Sequence, residues 1–207
     1  VQDYIDEDVD VVVGGPPCQG FSSANQQRII DDPRNELYKY YIECVKKILP
    51  KFVVMENVRG MLKVADQVVE DYESIKEKKN GVTYSYAVSY KLLNSLDFSV
   101  AQSRERLIYI AIRNDVAEKK DITPKAIFEE ICGENEDKPH YLLRDALEYI
   151  KPLDAPRIKN TNEKDDERTG KKIDVNSYSG DESPYLKLIN DGRSIPVLFN
   201  HKARYVN

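Results

Sequence analysis

Cysteine is scarce and unpaired in this chain of 207 residues: Cys18, Cys44 and Cys132 stand far apart with no Cys-x-x-Cys. That spacing signals neither a disulfide framework nor a zinc site, and it fits a reducing cytoplasm. Long apolar runs are also missing. The longest, around Val11 to Val13, is far below the roughly 20 residues that cross a bilayer. No charged-then-apolar leader opens the chain, and a start at Val1 without Met reads as a piece of a longer protein. An excess of basic charge is absent as well: 31 Lys and Arg face 36 Asp and Glu, for a net charge of -5. This counts against a nucleic-acid partner, because such domains usually carry a basic surface. Totals average over faces, so the site has to decide.

What is present suffices for one core, since 41% of the residues are hydrophobic at a length that can bury them. Residues 9–13 form a β-branched run ending on Gly14 and Gly15, a buried strand meeting a loop. From Glu36 to Leu49, apolar side chains recur at Leu37, Tyr41, Cys44 and Ile48, which is helical spacing, and Pro50 stops that helix. Phe52 to Met55 reads as a second buried strand, closed by Glu56 and Asn57. Strand, helix and strand make a βαβ unit with parallel strands. Residues 66–79 read as a surface helix ending at Asn80-Gly81, residues 84–91 and 106–113 as strands, and 122–150 as interrupted helix. Residues 156–183 hold few apolar side chains among many charges and read as a linker or mobile loop. A short organised piece, 184–207, closes the chain.

The unusual residues fall at one place in this scheme. Cys18 follows the first strand and Glu56 ends the second, so both belong to the carboxyl edge where open parallel sheets bind ligands. Gln102, Arg104 and Arg106, spaced by two in an extended segment, project to one side. Pro16 and Pro17 stiffen the approach to Cys18, while Gly14, Gly15 and Gly20 let backbone amides come close. Nearby amides or an arginine would raise the thiolate fraction of such a cysteine. Taken singly, each has a blander reading. A cysteine is more often a small buried hydrophobe, an acid such as Glu56 a helix cap, and two arginines a surface salt bridge. Their joint placement argues for chemistry.

The motifs support a specific resemblance. GGPPCQGFS at 14–22 resembles the Pro-Cys signature of DNA (cytosine-5) methyltransferases, MENVRGML at 55–62 their Glu-Asn-Val motif, and LLNSLDFSVAQSRERLIYIAIRND at 92–115 their Gln-x-Arg-x-Arg block and following strand. Arg34 and Leu37 match the intervening motif, and NHKAR at 200–204 resembles a segment near the target-recognition region. Ser99 and Ala101 replace the family's glycine and proline ahead of the arginine block. The resemblance implies a partial Rossmann-like methyltransferase fold of α/β class, with a mostly parallel sheet and flanking helices. It implies catalytic roles for Cys18, Glu56, Arg104 and Arg106, with Asn57 structural. It gives cofactor contacts at Pro17 and Leu37, DNA contacts at Gln19, Ser22 and Arg34, and no metal.

The implied cofactor is S-adenosylmethionine, the implied substrate double-stranded DNA, and base flipping follows because a stacked base is out of reach. Residues 1–150 would be the later part of the catalytic domain, and 151–207 a linker with the start of the recognition region. The family's glycine-rich cofactor loop lies before Val1, so the piece alone is expected to be inactive. The setting implied is the prokaryotic cytoplasm and nucleoid, with a restriction endonuclease as functional rather than physical partner. An RNA-directed relative and a catalytically silent DNA-binding protein are the competing readings. GFS after the cysteine favours the DNA enzymes, and intact Cys18, Glu56 and Arg106 weigh against the silent one.

Overall fold

Three β-branched valines followed by glycine form β1 (Val11–Gly14), the first strand of a computed structural model that describes residues 8–17, 36–147, 171–172, 184–190 and 202–203. The helix α1 (Glu36–Ile48) follows, then β2 (Phe52–Val58), whose burial alternates along its length. β1 and β2 are parallel, with Val11 opposite Phe52 and Gly14 opposite Met55, so the expected βαβ unit forms. The helix is rotated by about one residue from the sequence expectation. Its buried stripe is Tyr38, Val45 and Leu49, flanked by half-buried Tyr41 and Ile42, and Leu37 is left about half exposed. Tyr38 fixes that rotation: its hydroxyl donates to Asp71 at 2.8 Å, so a phenol that looked dispensable sits inside. Burial, and then this hydrogen bond, push its pKa above the ordinary range. The helix ends with Leu49 in the left-handed region (φ 54°) ahead of Pro50, and Arg113 donates to the Leu49 carbonyl.

After a 3-10 turn (Arg59–Val64) comes α2 (Ala65–Glu73). The expected helix to residue 79 is too long. Residues Glu77–Lys79 are β3, paired antiparallel with β4 (Val82–Tyr84). Asn80 and Gly81 between them have φ of 54° and 83°, the two positive values that an Asn-Gly hairpin turn requires. β5 (Tyr86–Asn94) and β6 (Glu105–Arg113) are long and antiparallel.

The sheet order is β1-β2-β6-β5. Only β1 and β2 run parallel; β2–β6 and β5–β6 are antiparallel. The sheet is therefore mixed, which corrects the expectation of a mostly parallel one. The reason is connection length. A parallel return needs a crossover of a dozen residues or more, usually through a helix, whereas β5 reaches β6 through a short 3-10 turn, Ser95–Phe98, and a few further residues.

One face of the sheet packs Val53, Met55, Leu107 and Tyr109 against α1 and α2. The other packs Ile110 and Ile112 against α3 (Asn114–Lys120) and α4 (Pro124–Gly133). Thr123 caps α4 by accepting from the Ala126 amide at 3.1 Å, with Pro124 in the first turn. On β1, Val11 and Val13 remain 50% and 73% exposed. These elements belong to one compact unit, residues 1–99 with 103–139; a second comprises 100–102 and 140–207. The second contains α5 (Leu143–Leu147), α6 (Pro184–Asn190) and a two-stranded pair, β7 (Lys171–Lys172) with β8 (Lys202–Ala203). Within it the rings of Tyr141 and Tyr185 are 5.1 Å apart.

Candidate active site

The carboxyl end of β1 lies beside Met55, their last parallel pair being Gly14 with Met55, and β2 runs on to Val58, past the strand end expected at Met55. The chain leaves β1 through two glycines, and both are dictated by neighbours. A Cβ on Gly14 would stand 2.5 Å from the Tyr41 ring, and one on Gly15 would stand 2.9 Å from Glu56 Oε2. The Glu56 carboxylate thus lies directly over the start of the Gly-Pro-Pro loop. Asn57, next on β2 and turned to the other face, is 4% exposed and donates from Nδ2 to the Pro16 carbonyl at 3.0 Å. Its Oδ1 accepts from the Val58 amide at 2.9 Å. The structural role expected for Asn57 is visible in these bonds, which tie the loop to β2. Cys18 itself lies outside the described residues, as do Gln19, Ser22 and Arg34 and the segment 22–35. Pro17 precedes Cys18 and is exposed.

Arg106 enters from β6. In the antiparallel register Val58 faces Arg106 and Glu56 faces Ile108, so Glu56 and Arg106 are diagonal neighbours on one face. Arg106 Nε stands 2.5 Å from Glu56 Oε1, with the arginine 24% and the acid 46% exposed. The approach is a charge contact rather than an aligned hydrogen bond, because Arg106 Nε is buried with no hydrogen-bond acceptor. Its Nη1 donates to the Glu105 carbonyl at 2.8 Å. The site therefore offers a half-exposed carboxylate and, 2.5 Å from one of its oxygens, a buried arginine Nε–H that is not aligned on it. Of the blander readings, the salt bridge is present and the helix cap is not. Glu56 lies within a strand instead of capping a helix, and the salt bridge of Arg106 is made with Glu56.

Arg104 is exposed, and its backbone rather than its guanidinium is anchored: the amide donates to Asn94 Oδ1 at 3.0 Å. Gln102 belongs to the second unit. Pattern reading missed Arg59, whose Nη1 lies 2.5 Å from Glu105 Oε2, and Asn94, whose amide bonds at both ends. Only the strand register brings these pairs together, and a single sequence does not state it. Ser99 occupies the left-handed region (φ 60°, ψ 24°), which accounts for a glycine at that place in the family pattern. For a cofactor, the residues that the family resemblance names are Pro17 and Leu37, both exposed and apolar. They do not by themselves make an S-adenosylmethionine pocket. Among the described residues there is no cluster of three or more potential metal ligands, and no helix is long and apolar enough to cross a membrane.

Comparison with known proteins agrees with this geometry. The family described as C-5 cytosine-specific DNA methylase matches residues 1–195. The Type II methyltransferase M.FnuDI of Fusobacterium nucleatum is 46% identical over 108 residues, covering 52% of this chain and 30% of that protein. M.AquIA of Picosynechococcus sp. is 34% identical over 167 residues, covering 72% of this chain and 63% of that protein. M.BspRI of Lysinibacillus sphaericus is 37% identical over 144 residues, with coverages of 66% and 30%. The chain thus spans between about a third and about two thirds of the length of these relatives.

Proposed function

The chain belongs to the C-5 cytosine-specific DNA methylase family, and on that premise we propose that the protein carrying it methylates carbon 5 of cytosine in double-stranded DNA, with Cys18 as covalent nucleophile. The observation that carries this reading is the pairing at the sheet edge: the Glu56 carboxylate stands over Gly15, and the unaccepted Nε–H of Arg106 stands 2.5 Å from it.

Carbon 5 of cytosine is too electron-poor to take a methyl group directly. Addition of the Cys18 thiolate to carbon 6 turns the ring into an enamine whose carbon 5 is nucleophilic. Glu56 donates a proton or a hydrogen bond to ring nitrogen 3, where charge develops. Arg106 gives its Nε–H to the oxygen on carbon 2, and Arg104 supports that geometry. S-adenosylmethionine, the methyl donor of this family, supplies the methyl group when bound; Pro17 and Leu37 provide apolar contact to it. Loss of the carbon-5 proton then returns the electron pair that expels Cys18. The target base is flipped out of the duplex to reach this site, with Gln19, Ser22 and Arg34 contacting DNA.

Residues 1–150 serve as the later part of the catalytic domain and 151–207 as a linker and the beginning of target recognition. The relatives named Type II methyltransferases support a modification role in the bacterial cytoplasm, paired functionally with a restriction endonuclease. The test is covalent capture by 5-fluorocytosine, placed in DNA or in RNA and offered to the complete protein. Capture by DNA alone is expected; capture by RNA alone would make the enzyme RNA-directed, and none would make it silent. Cys18→Ala should abolish methylation while DNA binding persists. Turnover above about one part in a thousand would reveal another nucleophile.

A further inference from the structure

Resting on the reading above, we propose that Asn94 and the Arg59–Glu105 pair are positioning residues that hold the Arg104–Arg106 segment in register over Glu56. Asn94 is the last residue of β5, and its side chain uses both polar atoms to close the turn into β6. Oδ1 accepts from the Leu96 amide at 3.1 Å and from the Arg104 amide at 3.0 Å, while Nδ2 donates to Ser103 Oγ at 3.1 Å. The Ser95 amide donates to the Arg104 carbonyl at 3.0 Å. The backbone of Arg104 is therefore bonded at both its amide and its carbonyl from the β5 side.

The opposite side is held by Arg59. The last pair of β2 and β6 is Val58 with Arg106, so the next rung places Arg59 opposite Glu105. There the Arg59 guanidinium meets the Glu105 carboxylate at 2.5 Å, extending the ladder by one side-chain rung after the β2 strand has ended. The same Glu105 accepts, through its backbone carbonyl, the 2.8 Å bond from Arg106 Nη1. A chain of contacts thus runs from Arg59 to Glu105, to Arg106, to Glu56.

Stability does not explain this arrangement. With 65% and 36% of its side chains exposed, the ion pair is screened by solvent and adds little to stability. Geometry does explain it. An arginine side chain has many rotamers to lose, and displacing a catalytic group by about 1 Å can cost on the order of 100-fold in rate. Holding the backbone of Arg104 and the carbonyl under Arg106 lets the two guanidinium groups start from one fixed strand end.

The test compares Asn94→Ala, Asn94→Asp, Arg59→Glu, Glu105→Arg and the double exchange Arg59→Glu/Glu105→Arg. The complete protein is read by the rate of capture on 5-fluorocytosine DNA at saturation and by the DNA dissociation constant. The 207-residue chain is read by the Nε–H resonance of Arg106 in 15N spectra. Asn94→Ala should slow capture by on the order of 100-fold, leave DNA affinity nearly unchanged and shift or broaden the Arg106 resonance. Asn94→Asp keeps the acceptor for Arg104 and should retain most of the rate. Each single charge change should slow capture, and the double exchange should restore it. Unchanged capture and an unmoved Arg106 resonance in Asn94→Ala and Arg59→Glu would overturn the proposal, as would an Asn94→Asp variant as slow as Asn94→Ala. If Asn94→Ala does not fold, Asn94→Asp and the charge exchange decide. If the parent protein captures no nucleic acid, the methyltransferase reading fails, and the Arg106 resonance alone decides the positioning role.

Discussion

At the scale of single residues, Ser99 shows how a departure from a family pattern can be read in backbone terms. It holds a left-handed conformation that costs a side-chain-bearing residue about 1 kcal/mol or more, and its hydroxyl donates to the Pro139 carbonyl at 3.2 Å. Ser99→Gly relieves that strain but loses the hydrogen bond, about 1 kcal/mol, and loosens the unfolded chain by about 0.4–1 kcal/mol, so stability in urea unfolding should fall by about 1 kcal/mol or less. A gain would mean that the strain outweighs both losses. Glu56 and Arg106 were legible in the sequence because each sits in a short motif whose chemistry demands that residue type. Asn94 and Arg59 were not, because the partners that tie them to β6, Arg104 and Glu105, lie 10 and 46 positions away in the chain and only the β2–β6–β5 register identifies them.

At the scale of elements, the βαβ unit could be read from β-branched runs around a periodic helix, and it formed with the expected parallel pairing. The strands expected at 84–91 and 106–113 also formed, as β5 and β6, while the separate β3–β4 pair was missed because its strands are too short to show a period. β3 and β4 have three residues each, below the length at which alternation can be distinguished from a frayed helix. The Asn80-Gly81 pair was the available hairpin signal. The junction between α1 and the end of β6 carries its own pH dependence. Arg113 is 9% exposed, donates to the Leu49 carbonyl and meets both carboxylate oxygens of Asp115 at 2.7 and 3.0 Å. The hydrogen bond from Arg113 holds the Asp115 pKa below its ordinary value. A depressed carboxyl contributes stability above its unfolded pKa of about 3.9 and loses it as pH falls through the lower folded value. With 39% of the Asp115 side chain exposed, solvent limits that contribution to about 1 kcal/mol. Asp115→Asn should be less stable at neutral pH, and the difference should vanish below about pH 3. An equal deficit at both pH values in thermal unfolding would assign the effect to packing.

At the scale of the whole molecule, β1 stands at one end of the sheet order among the described residues. Val11 and Val13 are β-branched, half exposed or more, and stand on an edge strand that carries no charge between them. Such an edge invites strand pairing between copies. Val13→Lys should reduce the self-association of this chain in sedimentation velocity, and an unchanged distribution would place the sticky surface elsewhere. With Pro17 and Leu37 proposed as its apolar contacts, S-adenosylmethionine should bind this chain by itself more weakly than micromolar in calorimetry. Micromolar binding would show that the cofactor is held by residues other than those two.

The alternation along β2 has one more consequence. Glu56 and Asn57 are adjacent in the chain but serve opposite faces, one reaching the site and the other pinning the loop that leads to Cys18. A strand has a period of two, so a slip or insertion of one residue exchanges every side chain between faces. One extra residue inside 52–58 would put the amide where the acid belongs, with the core pattern of Val53 and Met55 inverted in the same stroke. Two extra residues would preserve both. The exposed tip at Asn80-Gly81 has no such parity, and insertions there meet only solvent. Descendants of this chain can thus lengthen freely at the hairpin tip, while β2 accepts length changes only in even numbers.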